Sequence, residues 1–149
     1  MFSDLYNFLQ YDDLLLTSGQ PTEAQLAEIA AAGVQTVINL ALPTSDNALP
    51  DERGIVERLG MEYVHIPVVW EAPTHQNLDD FMDALDARRG QRLYVHCAAN
   101  YRVSCFVALY RILRLGWTPE EAFAFTRRIW NPDEYPVWKA FIEGVIDRK

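Results

Sequence analysis

The stretch that most constrains this chain runs from Leu93 to Leu115. Leu93-Tyr94-Val95 reads as a short buried strand, because aromatic and β-branched residues crowd together there. From Val103 the residues at 103, 106, 107, 109, 110 and 113 are apolar, a helical period that predicts a helix to Leu115. Between them lies Cys97-Ala98-Ala99-Asn100-Tyr101-Arg102, a Cys and an Arg with four residues separating them. A strand that ends in a loop and opens a helix aims unpaired backbone amides at one point, and the helix N-terminus adds partial positive charge there. Such a place binds an anion. It also favours a thiolate over a thiol, with His96 and Arg102 flanking Cys97 acting in the same direction.

The rest of the chain alternates strand and helix signals. Residues 1–13 form a lead-in carrying Phe2, Leu5, Tyr6, Phe8 and Leu9, read as a short helical turn packed on the domain. Residues 14–18 read as a strand, broken by Gly19-Gln20-Pro21. Thr22-x-x-Gln25 is a capping box for a helix that Gly33 stops. Strands follow at 34–40 and 61–68, with a Pro-rich loop at 41–50 and a helix at 51–59 between them. After a loop at 70–75, Asn77 is the expected cap of a helix ending near Gly90. Beyond the central strand and helix, Thr118-Pro119-Glu120-Glu121 opens another helix, Asn131-Pro132-Asp133-Glu134 is a turn, and the last helix spans about 136–146. The pattern predicts one α/β domain over 1–149, with a mostly parallel central sheet of about four strands flanked by helices.

In such sheets the site lies at the carboxyl ends of the strands. The loops 41–50, 69–76 and 97–102 leave those ends, so Trp70, Glu71 and His75 are expected near Cys97. Hydrophobic residues make up 50% of the 149 and charged ones 23%, which suits a single globular core. The net charge of −8 and pI near 4.8 exclude a basic nucleic-acid surface, so any anion site must be local. Two Cys eight positions apart give no disulfide framework and suit a reducing, cytoplasmic setting. No basic leader or long apolar run marks a signal peptide or membrane span. No metal-ligand spacing and no Gly-rich nucleotide loop is present, so neither metal nor cofactor is expected.

His-Cys, a short loop, Arg and a following helix resemble the protein tyrosine and dual-specificity phosphatases. The likeness is greatest to a bacterial branch, the β-lactamase-hydrolase-like proteins, where short Cys-x4-Arg loops occur. Ser18-Gly19-Gln20-Pro21, Val37-Ile38-Asn39-Leu40, His65-Ile66-Pro67-Val68, Trp130-Asn131-Pro132 and Tyr135-Pro136-Val137-Trp138 also resemble that branch, over roughly residues 14–142. The usual family loop has five residues between Cys and Arg and a Gly three after the Cys. Here there are four, and Asn100 takes the place of the Gly. Asn is the next most tolerant residue of positive φ. Ser104 keeps the distance from Cys97 at which the family places its Ser or Thr.

The resemblance implies a dual-specificity-phosphatase-like fold and hydrolysis of a phosphate monoester through a phosphocysteine at Cys97. Arg102 and the loop residues Ala98, Ala99, Asn100, Tyr101, Val103 and Ser104 would bind the phosphoryl group, with His96 and Trp70 in support. The family takes its general acid from an Asp in the loop one helix before the central strand; here Glu71 is that loop's only carboxylate. The implied partner is a phosphorylated substrate of open class, with no nucleic acid and no membrane, and the oligomeric state stays open. Cys-x4-Arg also resembles the rhodanese sulfurtransferases, whose six-residue loop holds a sulfane sulfur. Persulfide transfer is therefore one alternative, and a non-catalytic phosphate-binding module is another.

Overall fold

The computed structural model describes residues 2–148. A five-stranded sheet has the order β1-β2-β5-β3-β4: β1 is Leu9–Asp12, β2 Leu15–Ser18, β3 Thr36–Asn39, β4 Glu62–His65 and β5 Leu93–His96. Every neighbouring pair is parallel except β1 with β2. The helices are α1 Glu23–Ala31, α2 Glu52–Arg58, α3 His75–Asp86, α4 Tyr101–Leu115, α5 Pro119–Thr126 and α6 Pro136–Asp147, with 3-10 turns at Phe2–Asp4 and Pro132–Glu134.

β5 is central and all four of its residues are buried, as a parallel strand covered on both faces requires. Its side chains alternate between two cores. Tyr94 joins Leu16 and Val37 from the neighbouring strands and packs with Leu26 and Ile29 of α1 and Ile55 and Val56 of α2. Val95 and Ile38 face the opposite way, into a larger core built from α3 to α6 around Phe81, Phe106 and Trp138.

The fifth strand corrects the reading of the lead-in. Its first part does make a 3-10 turn at Phe2–Asp4, but Leu9-Gln10-Tyr11-Asp12 pairs antiparallel with β2 and alternates buried and exposed. A second correction concerns α3. Thr74, not Asn77, is its N-cap; the Thr74 hydroxyl accepts from the Asn77 amide while the Asn77 side chain accepts from the Thr74 amide. Asn77 thus plays the part usually taken by Glu or Gln in a capping box. The boxes at Thr22–Gln25 and Thr118–Glu121 form as expected.

Candidate functional site

The parallel register sets Ser18 and Asn39 beside His96, so β2, β3 and β5 end level with one another. The segments leaving these ends meet around Cys97. The turn at Asn100 adopts φ 65° and ψ 16°, the left-handed conformation that Asn tolerates better than residues with bulkier or branched side chains, and α4 starts at the next residue. The first α4 amide bonded to a backbone carbonyl is that of Ser104, which donates to Asn100 O at 3.2 Å. Among the described residues, none of the amides from Ala98 to Val103 donates to a backbone carbonyl.

The carbonyls of the same loop are tied outward. Cys97 O meets His96 Nδ1 at 3.2 Å. Ala98 O accepts from the Gln20 amide at 3.1 Å and from Asn47 Nδ2 at 3.2 Å. Ala99 O accepts from Asn7 Nδ2 at 2.9 Å, and Asn100 Nδ2 donates to Asn7 O and Thr17 Oγ1. A trans peptide points its C=O and N–H in opposite directions. Fixing the carbonyls outward therefore turns the next amides inward, towards the cleft. Donors held in this way need no rearrangement to meet an anion, which is the geometry an anion cradle requires.

The cleft above it has a volume of about 310 Å³ and is lined by Trp70, Cys97, Ala98, Ala99, Tyr101, Arg102 and Tyr135. Cys97 is 1% exposed and sits at its floor, a free thiol. Arg102 is 7% exposed and donates through Nη1 to Val68 O at 2.8 Å, which anchors the guanidinium from the β4–α3 segment. Tyr101 stacks on Trp130, ring centroids 4.6 Å apart and 11° from parallel, and Trp70 packs against Tyr101, Trp130, Tyr135 and Trp138. The walls are aromatic, and among the described residues the one charged side chain lining the cleft is that of Arg102.

A family model for the DSP-PTPase phosphatase fused to NAD+ kinase matches residues 8–135. The chain belongs to this DSP-PTPase family. A DUF442 protein from Shewanella putrefaciens CN-32 is 39% identical, with 99% of this chain and 95% of that one superposed at a TM-score of 0.89. Tk-PTP, at 23% identity, shares the fold over 92% of this chain and 97% of its own, with a TM-score of 0.74. The β-lactamase hydrolase-like protein of Xylella fastidiosa is 27% identical over 105 residues, 68% of this chain and 24% of that protein. The chain thus spans about a quarter of the length of these relatives.

Within the DSP-PTPase fold the expected site residues divide. Cys97, Ala98, Ala99, Tyr101, Arg102 and Trp70 come together in the cleft. Asn100 and Val103 are wholly buried: neither side chain lines the cleft, and that of Asn100 instead ties the loop to Asn7 and Thr17. Ser104 turns away from the cleft: its hydroxyl accepts from Trp130 Nε1 at 3.0 Å and donates to Tyr101 O at 3.2 Å. It thereby fixes the wall behind Tyr101. Glu71 lines not the cleft but an adjoining apolar groove with Trp70, Tyr135, Pro136, Val137 and Trp138. His75 is the first residue of α3 and lies against Phe141. Asn131 caps the 3-10 turn that follows α5.

Three features of the site escape the sequence reading. Tyr135 closes the cleft from the start of α6. Asn7 ties down a loop 92 positions away. His96, wholly buried, meets Glu52 Oε2 through Nε2 at 2.6 Å. No local pattern around Asn7 or Glu52 marks them, because their partners are remote in the chain. The signal for Tyr135 was its place in the Tyr-Pro-Val-Trp motif.

Proposed function

We propose that this protein hydrolyses phosphate monoesters through a phosphocysteine at Cys97. The observation that carries this reading is the cradle: amides from Ala98 to Val103 left without backbone acceptors around a Cys at the cleft floor, with Arg102 beside it. The Cys97 thiolate attacks phosphorus and the ester P–O bond breaks, its electron pair leaving with the oxygen. The amides and Arg102 hold the three equatorial oxygens as charge spreads over them. Water then attacks phosphorus, the S–P bond breaks, and phosphate and the thiolate are regenerated.

The cleft supplies an aromatic wall and, among the described residues, no carboxylate. Glu71, exposed in the neighbouring groove, serves as general acid only if the turn after Trp70 swings it across. Aryl phosphates are therefore the favoured substrates, because a phenolate departs with little help from an acid. Alkyl phosphates should turn over slowly.

The test is hydrolysis of para-nitrophenyl phosphate by the wild-type protein, Cys97→Ser and Arg102→Ala. Turnover should vanish in Cys97→Ser, while tungstate still binds. Charge-assisted hydrogen bonds contribute about 1.5–3 kcal/mol, so Arg102→Ala should weaken tungstate protection of Cys97 against alkylation at least tenfold. Unchanged hydrolysis by Cys97→Ser would overturn the reading.

The six-residue loop and the cleft without a carboxylate favour one second reading, persulfide transfer, which needs no acid for an oxygen leaving group. It predicts the opposite pattern: robust sulfur transfer from thiosulfate to cyanide and no protection by tungstate. Protection without either turnover would leave a phosphate-binding module.

A further inference from the structure

Outside the cleft, three polar side chains form a chain that ends on the cradle. Gln20 Nε2 donates to Glu52 Oε1 at 2.9 Å. Glu52 Oε2 lies 2.6 Å from His96 Nε2, and His96 Nδ1 lies 3.2 Å from Cys97 O. His96 is 0% exposed and Glu52, the first residue of α2, is 6% exposed. A carboxylate is rarely buried to this degree without a partner. Burial pushes its pKa up, yet the hydrogen bonds from His96 and Gln20 and the His96 charge outweigh this and hold it below the usual carboxylate range.

We infer that Glu52 is a positioning residue of the anion cradle, acting through the His96 ring on the Cys97 carbonyl. The inference rests on the reading of the 97–103 loop as an anion cradle. Both ring nitrogens of His96 face acceptors, a carboxylate and a carbonyl. Neither contact is a hydrogen bond unless the nitrogen carries a proton. A ring protonated only at Nε2 would turn a lone pair on Cys97 O; the arrangement in which both contacts are hydrogen bonds carries a proton on each ring nitrogen. The Nδ1–H then holds Cys97 O outward, and the same rigid peptide plane directs the Ala98 amide into the cleft. Gln20 acts twice: its side chain orients Glu52, and its backbone amide holds Ala98 O, which directs the next amide. This gives the Ser18-Gly19-Gln20-Pro21 motif its physical sense: it braces the loop from outside the cleft.

The test uses Glu52→Gln and Glu52→Met in the full chain. Gln can accept from Gln20 and donate to a neutral His96 Nε2, which leaves the ring proton on Nδ1. Met fills the same space and makes neither contact. Tungstate protection of Cys97 from alkylation should stay within about threefold of wild type in Glu52→Gln and fall about tenfold in Glu52→Met, the loss of roughly one oriented donor. A role in packing alone would spare the Met variant, and equal protection in the two variants overturns the inference. Should the Met variant unfold, nitrogen-15 spectra of the wild-type imidazole decide. A protonated, slowly exchanging Nδ1 of His96 is expected, and a bare Nδ1 refutes the arrangement. Absence of tungstate protection in the wild-type protein would instead remove the cradle reading itself.

Discussion

Gly19 is the place where one added methyl group should disturb the cradle most directly. Its φ is not in the left-handed region, so the argument is purely steric. A Cβ built there would lie 2.6 Å from Ala98 O, 2.7 Å from Tyr6 Cδ2 and 3.1 Å from Ala99 Cα. Ordinary contact begins near 3.4 Å, so Ala98 O must retreat by roughly 0.8 Å. Tyr6 is exposed and can swing aside. Ala98 O cannot move freely, because it accepts from the Gln20 amide and from Asn47. Losing one such bond costs about 0.5–1.5 kcal/mol, and overpacking of this kind costs about 1–3 kcal/mol. The lower entropy of the unfolded Ala chain returns about 0.4–1 kcal/mol.

Gly19→Ala should therefore destabilise the fold by about 1–3 kcal/mol, or lower Tm by about 2–12 °C for a chain of this size. It should also weaken tungstate protection of Cys97, since the displaced carbonyl carries the Ala99 amide with it. Thermal unfolding followed by circular dichroism, with alkylation in parallel, measures both. Gly144 supplies the control: in α6 a Cβ there meets nothing within 4 Å. Gly144→Ala should stabilise by about 0.5–1 kcal/mol through helix propensity. A Gly19→Ala protein that melts within a degree of wild type and binds tungstate equally well would refute the bracing argument.

The sequence made the centre of the fold legible and left its periphery obscure, for physical reasons that particular residues show. β3 and β5 are short apolar runs between strong breakers, and a strand buried on both faces has no other place to go. Asn100 is legible because so few residues tolerate its φ of 65°. β1 was missed because Leu9 and Tyr11 give only one period of alternation, too short to outweigh the preceding cluster of Phe and Leu. The Thr74 cap was missed because Asn is a good cap in its own right and here serves as the reciprocating partner. Cys97 and Arg102 were legible as a spacing. The groups that orient their loop were not, because Asn7, Gln20 and Glu52 reach it through tertiary contacts that leave no periodicity.

Three further outcomes follow from the same geometry. Asn100→Ala should destabilise by about 2–4 kcal/mol, combining left-handed strain with the lost bonds to Asn7 O and Thr17 Oγ1, and Asn100→Gly should recover about 1–2 kcal/mol of it; equal Tm values for the two would refute the strain component. Iodoacetamide should label Cys97 and spare Cys105, which is fully buried in the core and whose thiol pKa burial pushes up; peptide mapping that finds Cys105 labelled at a comparable rate would show the core opening freely. The acid limb of the stability curve should carry a buried component from Glu52. Its folded pKa lies below the unfolded value of about 4.3, so below that value the unfolded chain binds more protons than the native one. Its contribution is present above the unfolded pKa and is lost as pH falls through the folded one. Glu62, held down by hydrogen bonds from Arg88, and Asp86, by hydrogen bonds from Tyr110, Arg89 and Arg114, act with the same sign. Glu62 is half exposed and Asp86 lies nearer the surface than Glu52, so 1 M salt screens their charges more effectively. The Glu52–His96 pair, shielded from solvent, keeps its share in 1 M salt. Chemical denaturation by urea at stepped pH values in 1 M salt should therefore still show stability falling below about pH 4.3, and Glu52→Gln should flatten that fall. A slope that survives the substitution unchanged would place the acid sensitivity elsewhere and leave the buried pair without a role in it.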